Sequence, residues 1–87
     1  MLYRIHTEDK NREDVERIVG ARFSGFTILT GTGYWQSTSE PTLVIEIVAP
    51  EDRGPEVYDA AEEILRHNEQ QAVLVVTVPV TSRMIVA

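Results

Sequence analysis

The sequence predicts an α+β fold in which a four-stranded antiparallel sheet carries two helices on one of its faces. Segments with strand alternation and segments with helical spacing of apolar residues occur in the order strand, helix, strand, strand, helix, strand. All of them fit within 87 residues, which we interpret as one domain over residues 1–87. Cysteine is absent, so neither disulfides nor a thiolate metal site can support the fold, and it must depend on its apolar core.

The first strand and the first helix are predicted near the N-terminus. Residues 2–7 alternate, and we expect Tyr3 and Ile5 to face the core. Asn11 is a good N-cap residue with Asp14 three positions later, so a helix should begin there. Its apolar residues share one stripe, formed by Val15, Ile18, Val19 and Phe23.

A long hairpin is predicted after this helix. We expect Gly25 to end the helix and the second strand to run from about Gly25 to Trp35 or Gln36. Residues 37–41 have turn composition, and residues 42–48 form the clearest strand. Alternation in this third strand predicts a central position in the sheet, with one face made of Leu43, Ile45 and Ile47.

The second strand is unusual because no charged residue occurs from Phe23 to Ser39. Gly31 and Gly33 lie inside it, where glycine usually marks a bulge, a bend or a close approach to the backbone. A phosphate-binding loop is the weaker interpretation, because the pair lacks a third glycine and the Lys-Ser/Thr that follows in such loops.

The second half of the chain supplies the second helix and the last strand. Pro50 ends the third strand, and Pro55 is expected at the first position of a helix. The core-facing stripe of this helix comprises Val57, Ala61, Ile64, Leu65 and Asn68. Residues 72–78 are almost continuously apolar, which predicts a strand covered on both faces. Residues 81–87 are expected to form a tail or a short extra strand.

Net charge excludes one class of function. The formal charge is −6, and from Glu40 onward nine acidic residues accompany only three arginines. Nucleic-acid binding is therefore not expected, because it draws most of its free energy from Lys and Arg contacts. No run approaches the length of a membrane span or of a signal peptide, so we expect a cytoplasmic protein without a membrane partner.

This order of elements is the ferredoxin-like plan, and the chain resembles the group that includes PII-like proteins and dimeric α/β-barrel proteins. It is also similar to small uncharacterised bacterial and bacteriophage proteins over three runs: 25–35, 40–45 and 70–75. The PII-like resemblance implies trimers that bind nucleotides in clefts between subunits, with a long loop between the second and third strands. Here that connection, residues 33–41, is short and contains no basic residue to meet a phosphate.

A ligand site is predicted in the hairpin. Hydroxyl and amide groups there could fix the orientation of a neutral or weakly charged small molecule, while the aromatic rings supply apolar area. The candidate residues are Thr30, Thr32, Tyr34, Trp35 and Gln36. The plainer alternative is a hairpin end whose Trp anchors the turn or packs on a partner.

No catalytic, metal or cofactor site is predicted. His6 has Glu8 and Asp9 nearby in sequence, but neighbouring strand residues point in different directions and a closed metal site needs about four ligands. His67 lies at a helix C-terminus, where a cation stabilises the helix dipole. No serine has a recognisable nucleophile motif.

The chargeless second strand predicts self-association, because an edge strand without charges exposes unpaired backbone groups. The candidate interface residues are Phe26, Ile28, Leu29, Met84 and Ile85. We therefore expect a homo-oligomeric, non-catalytic binding or regulatory module with a small molecule or another protein as its partner. Two alternatives stay open: a PII-like nucleotide binder and a dimeric α/β-barrel enzyme with His6 or Tyr34 in its cavity.

Overall fold

The computed structural model describes residues 1–87 and has the predicted order of elements. The strands are β1 (Leu2–Glu8), β2 (Thr27–Trp35), β3 (Thr38–Val48) and β4 (Leu74–Val78). The helices are α1 (Arg12–Gly20) and α2 (Gly54–His67), and a short 3-10 helix (Glu51–Arg53) precedes α2. The sheet is antiparallel throughout and has the order β2-β3-β1-β4. The ferredoxin-like α+β fold is confirmed, with β2 and β4 at the edges.

The core lies between the helices and one face of the sheet. Ile5 of β1 pairs with Ile45 of β3, and both are fully buried. The predicted stripe of α1 packs on them, as does the apolar face of α2, through the buried residues Val15, Ile18, Val19, Phe23, Val57, Ala60, Ala61 and Ile64. No helix covers the opposite face of the sheet, where Leu29, Val48 and Leu74 are about half exposed.

The ends of α1 differ from the prediction. The helix ends at Gly20 rather than at Gly25. At its start, Asn11 occupies the N-cap position in a left-handed conformation (φ 52°, ψ 51°) and makes no side-chain cap hydrogen bond. The predicted capping box is therefore wrong, because the Asn11 side chain instead donates from Nδ2 to Asn68 Oδ1 at 2.9 Å.

The hairpin turn is also shorter than predicted. Gln36 and Ser37 form a two-residue turn and have positive φ values of 50° and 64°. Such turns are favoured in hairpins because their backbone twist matches the right-handed twist of the two strands that they join. Residues 38–41 belong to β3, since they pair with residues 32–35 of β2 in an unbroken register. The second strand therefore contains no bulge. Glycine nevertheless fits best at position 33, because a Cβ atom there would overlap Thr42 Oγ1 and force the Thr42 side chain to move.

The last strand and the tail complete the chain. The prediction that β4 is covered on both faces is wrong, because no helix covers one face of the sheet and Leu74 on that face is 59% exposed. Residues 79–87 form neither helix nor strand, and the apolar residues Met84, Ile85 and Val86 are largely exposed. None of the helices is long and apolar enough to cross a membrane.

Candidate functional site

The hairpin of β2 and β3 extends beyond the end of β1. Pairing between β1 and β3 stops at Glu8 and Thr42, whereas β2 and β3 remain paired as far as Trp35 and Thr38. The free end of the hairpin reaches across the end of β1, because Trp35 Nε1 donates a hydrogen bond to Gln71 Oε1 at 3.1 Å. This contact joins the hairpin to the segment that leads into β4.

A cleft of about 550 Å³ lies between the hairpin end and this segment. It opens at the end of the sheet, and three parts of the chain line it. The lining residues are His6, Thr7 and Glu8 of β1; Gly33, Tyr34, Trp35, Glu40 and Thr42 of the hairpin; and Gln70, Gln71, Ala72, Val73 and Leu74 before and within β4. The cleft thus brings together residues that are far apart in sequence.

Hydrogen bonds from β1 hold one wall of the cleft in place. Gln70 Oε1 accepts hydrogen bonds from the Thr7 hydroxyl at 2.9 Å and from the Glu8 backbone N–H at 3.4 Å. Thr7 is buried, with only 3% of its surface exposed. A buried polar group needs such a partner, so this contact fixes Gln70 at the end of β1.

Asn68 anchors the beginning of the same wall. It is 1% exposed, donates from Nδ2 to the Lys10 carbonyl at 3.0 Å and accepts from Asn11 Nδ2 at 2.9 Å. Lys10 Nζ in turn donates to the Asn68 carbonyl at 2.7 Å. Asn68 was predicted on the core stripe of α2 but without this role; the available signal was a polar side chain at a buried position.

The cleft is electronegative. Glu8 and Glu40 approach each other closely, and the pKa of Glu40 is raised, first by its hydrogen bond with the Glu8 carboxyl, then by desolvation and by repulsion from Glu8. Neither Lys nor Arg lines the cleft. No group of three or more His, Cys, Asp or Glu residues in the structure is arranged to hold a metal ion. A binding site here would have carboxylates, amides and aromatic rings available.

Some of the predicted ligand residues meet at this cleft and others do not. Tyr34 and Trp35 line it, with exposed fractions of 76% and 47%. Thr30, Thr32 and Gln36 are exposed and do not line it. Glu40, Gln70 and Gln71 were not predicted as site residues, because they reach the cleft only through the register of the sheet and the turn after α2.

The predicted interface residues lie on different parts of the surface. Phe26 and Ile28 are half-buried and pack against the core cluster. Leu29 is 48% exposed and, by strand alternation, lies on the uncovered face of the sheet. Met84 and Ile85 are in the exposed tail.

Comparison with solved structures confirms the resemblance to PII-like and small uncharacterised bacterial proteins. A DUF3240 family protein from Shewanella baltica OS155 has a TM-score of 0.81 at 14% identity, over 99% of this chain and 94% of that one. CPII, a nitrogen regulatory PII-like protein from Thiomonas intermedia K12 bound to ADP, AMP and bicarbonate, has a TM-score of 0.69 at 18% identity, over 97% and 93%.

A phage SAM lyase in its apo state has a TM-score of 0.59 at 20% identity, over 85% of this chain and 75% of that one. At these identities the likenesses show a shared fold and no more. No protein-family model and no curated protein match the sequence.

Proposed function

We propose that this protein is a small non-catalytic binding module that acts as a homo-oligomer and takes a small molecule in the cleft beside Trp35. The observation that carries the proposal is the cleft itself. Its volume of about 550 Å³ is in the range of small-molecule sites, which bury most of a ligand against apolar walls with a few polar groups for orientation. Trp35 and Tyr34 supply the apolar walls, and Gln70 and Gln71 supply the amides.

The geometry of the cleft favours ligand binding over a purely structural hairpin end. Trp35 remains 47% exposed and lines the cleft, so much of its side chain is available to a ligand. Its indole N–H donates to Gln71, and this hydrogen bond holds the exposed side chain beside the cleft.

Self-association is supported by the surface of the sheet. The outer edge of β2 has no partner strand, and β2 carries no charged residue that would discourage pairing. Apolar side chains of the uncovered face lie beside this edge, among them Leu29 and Val48. A second copy that pairs with the edge through Phe26, Ile28 and Leu29, with its tail residues Met84 and Ile85 crossing over, would bury this surface.

The PII-like alternative is nucleotide binding between subunits, and the solved neighbour from Thiomonas intermedia was bound to ADP and AMP. The present chain offers less to a phosphate. Its cleft contains Glu8 and Glu40 and no basic residue, and its hairpin ends in a two-residue turn instead of a long loop.

The enzyme alternative has one specific observation in its favour. His6 lines the cleft together with Glu40, whose pKa is raised by its hydrogen bond with Glu8, and raised carboxyl pKa values are common among catalytic acids and bases. A dimeric α/β-barrel enzyme would use these groups for acid–base chemistry. A structural neighbour described as a SAM lyase makes SAM a reasonable compound to test.

Thermal shift with a small-molecule panel that includes ADP, AMP and SAM tests the binding proposal. We expect at least one compound to raise the melting temperature of the wild-type protein and of Tyr58→Ala, which removes an exposed aromatic residue outside the cleft. The same compound should not stabilise Trp35→Ala. Equal stabilisation of Trp35→Ala would place binding elsewhere and contradict the proposal.

Light scattering across a size-exclusion peak tests self-association. We expect a mass above that of the 9.8 kDa chain, and we expect Thr30→Lys or removal of residues 84–87 to reduce it. A monomer that persists at high micromolar concentration would contradict this part of the proposal.

A further inference from the structure

The acidic residues of the cleft have no cationic partner, unlike Glu46 on the same face of the sheet. Glu46, on the uncovered face, is paired with Arg4 at 2.7 Å. Neither Glu8 nor Glu40 forms a salt bridge anywhere in the chain, although the two carboxyl groups lie close enough to share a hydrogen bond. Two neighbouring carboxyl groups in a recess therefore have no internal counter-charge.

The aromatic wall of the cleft adds a second feature that attracts positive charge. The faces of Trp and Tyr rings carry negative electrostatic potential, and a cation over such a face gains about 0.5–2 kcal/mol. Trp35 and Glu40 both line the cleft, as does Tyr34. A ligand in the cleft would therefore have both carboxyl groups and aromatic side chains within reach.

We propose that the cleft selects an organic cation, an ammonium group carried on an apolar body, through Glu8, Glu40 and the ring of Trp35. This inference rests on the proposed small-molecule function of the same cleft and adds the chemical class of the ligand. A metal ion is a poorer occupant, because no group of three or more His, Cys, Asp or Glu residues is arranged around one point. A phosphorylated ligand would face the Glu8–Glu40 carboxyl pair without a single Lys or Arg in the lining.

Trp35 makes the test direct, because it is the only tryptophan of the chain and its fluorescence reports on the cleft alone. The full chain is titrated with choline and, separately, with dimethylbutanol, the uncharged isostere in which carbon replaces the quaternary nitrogen. Ionic strength is kept constant. We expect a saturable change with choline and binding of the isostere that is at least about tenfold weaker, which corresponds to about 1.4 kcal/mol.

Three glutamate variants identify the source of the selectivity. Glu8→Gln and Glu40→Gln should each weaken choline binding by about tenfold, or about 1.4 kcal/mol. Glu16→Gln removes the same charge from the exposed side of α1 and should leave binding unchanged. Thermal melts of all three variants confirm that they remain folded.

Equal binding of choline and its isostere would overturn the inference, as would wild-type affinity in both cleft variants or the absence of any saturable response to choline. The proposed function is judged separately by the thermal-shift panel. A neutral or anionic compound that stabilises the wild type but not Trp35→Ala would leave the binding cleft in place while refuting its preference for cations.

Discussion

Truncation of Ile45 to alanine tests the assignment of the core face of the sheet. Ile45 is fully buried at the centre of β3, between its partners Ile5 and Ile28. Loss of its side chain beyond Cβ removes buried apolar surface and leaves a cavity, which together cost about 2–5 kcal/mol. A domain of 87 residues has a total stability of roughly 4–13 kcal/mol, so this single change removes a large share of it.

Urea titration measures the effect. With a slope of about 1.5 kcal/mol per molar, the unfolding midpoint of Ile45→Ala should fall by roughly 2 M. Val48→Ala is the matched control, since Val48 is on the other face of the same strand and 55% exposed; it should cost under about 1 kcal/mol. Both variants are measured at two protein concentrations to separate subunit association from folding. Equal losses for the two variants would refute the assignment of faces.

Three further predictions concern the hairpin, the anchor of the cleft wall and acid stability. Gly33→Ala should lower the urea midpoint because its Cβ overlaps Thr42 Oγ1, and Thr42→Ala should restore part of the loss; strictly additive losses would contradict this. Asn68→Ala should cost about 1–3 kcal/mol in the same assay because it removes the two hydrogen bonds that this buried side chain makes, and a loss near zero would be inconsistent with that role. The hydrogen bond from Arg53 lowers the pKa of Glu56 in the folded protein. The pair therefore contributes its full stability above the unfolded carboxyl pKa of about 4.3, and this contribution is lost as the pH falls through the lower pKa of the folded state. The melting temperature should thus stay constant down to about pH 5 and fall at lower pH, and this fall should be smaller in Glu56→Gln. An equal fall in the variant and the wild type would contradict a stabilising role for the pair.

The strands and their faces could be predicted from the sequence because strand alternation is a local pattern. Tyr3 and Ile5 alternate with more polar neighbours, and Leu43, Ile45 and Ile47 do the same in β3; all five are buried as expected. The order of elements then limits the sheet to few arrangements. These features depend on no particular long-range contact.

The turn could not be predicted because its residues give the wrong local signal. Gln36 and Ser37 adopt positive φ without the Asn or Gly that usually marks such turns, and Pro41 suggested that the turn extended further. Pro41 is tolerated in β3 because it lies just past the paired end of β1, so the N–H that proline lacks interrupts no ladder hydrogen bond between the two strands. The Pro41 carbonyl still accepts a hydrogen bond from the Asp9 backbone N–H.

The cleft was predicted only in its aromatic part. Trp35 and Tyr34 are conspicuous in the sequence, whereas Glu8 and Glu40 become neighbours only through the register that places Glu8 opposite Thr42. The opposite wall depends on Asn68 and its hydrogen bonds to the loop before α1. Such contacts between distant segments leave no pattern in a single sequence.

The central claim, that the cleft beside Trp35 is the ligand site, is tested most directly by the indole N–H signal of Trp35 in a nitrogen–proton NMR spectrum of isotope-labelled protein. A single indole signal is expected, since the chain has one tryptophan. Addition of a compound that stabilises the protein should shift this signal together with the backbone signals of Glu8, Glu40 and Gln71. Shifts confined to the exposed faces of α1 and α2, with the indole signal unmoved, would contradict the account.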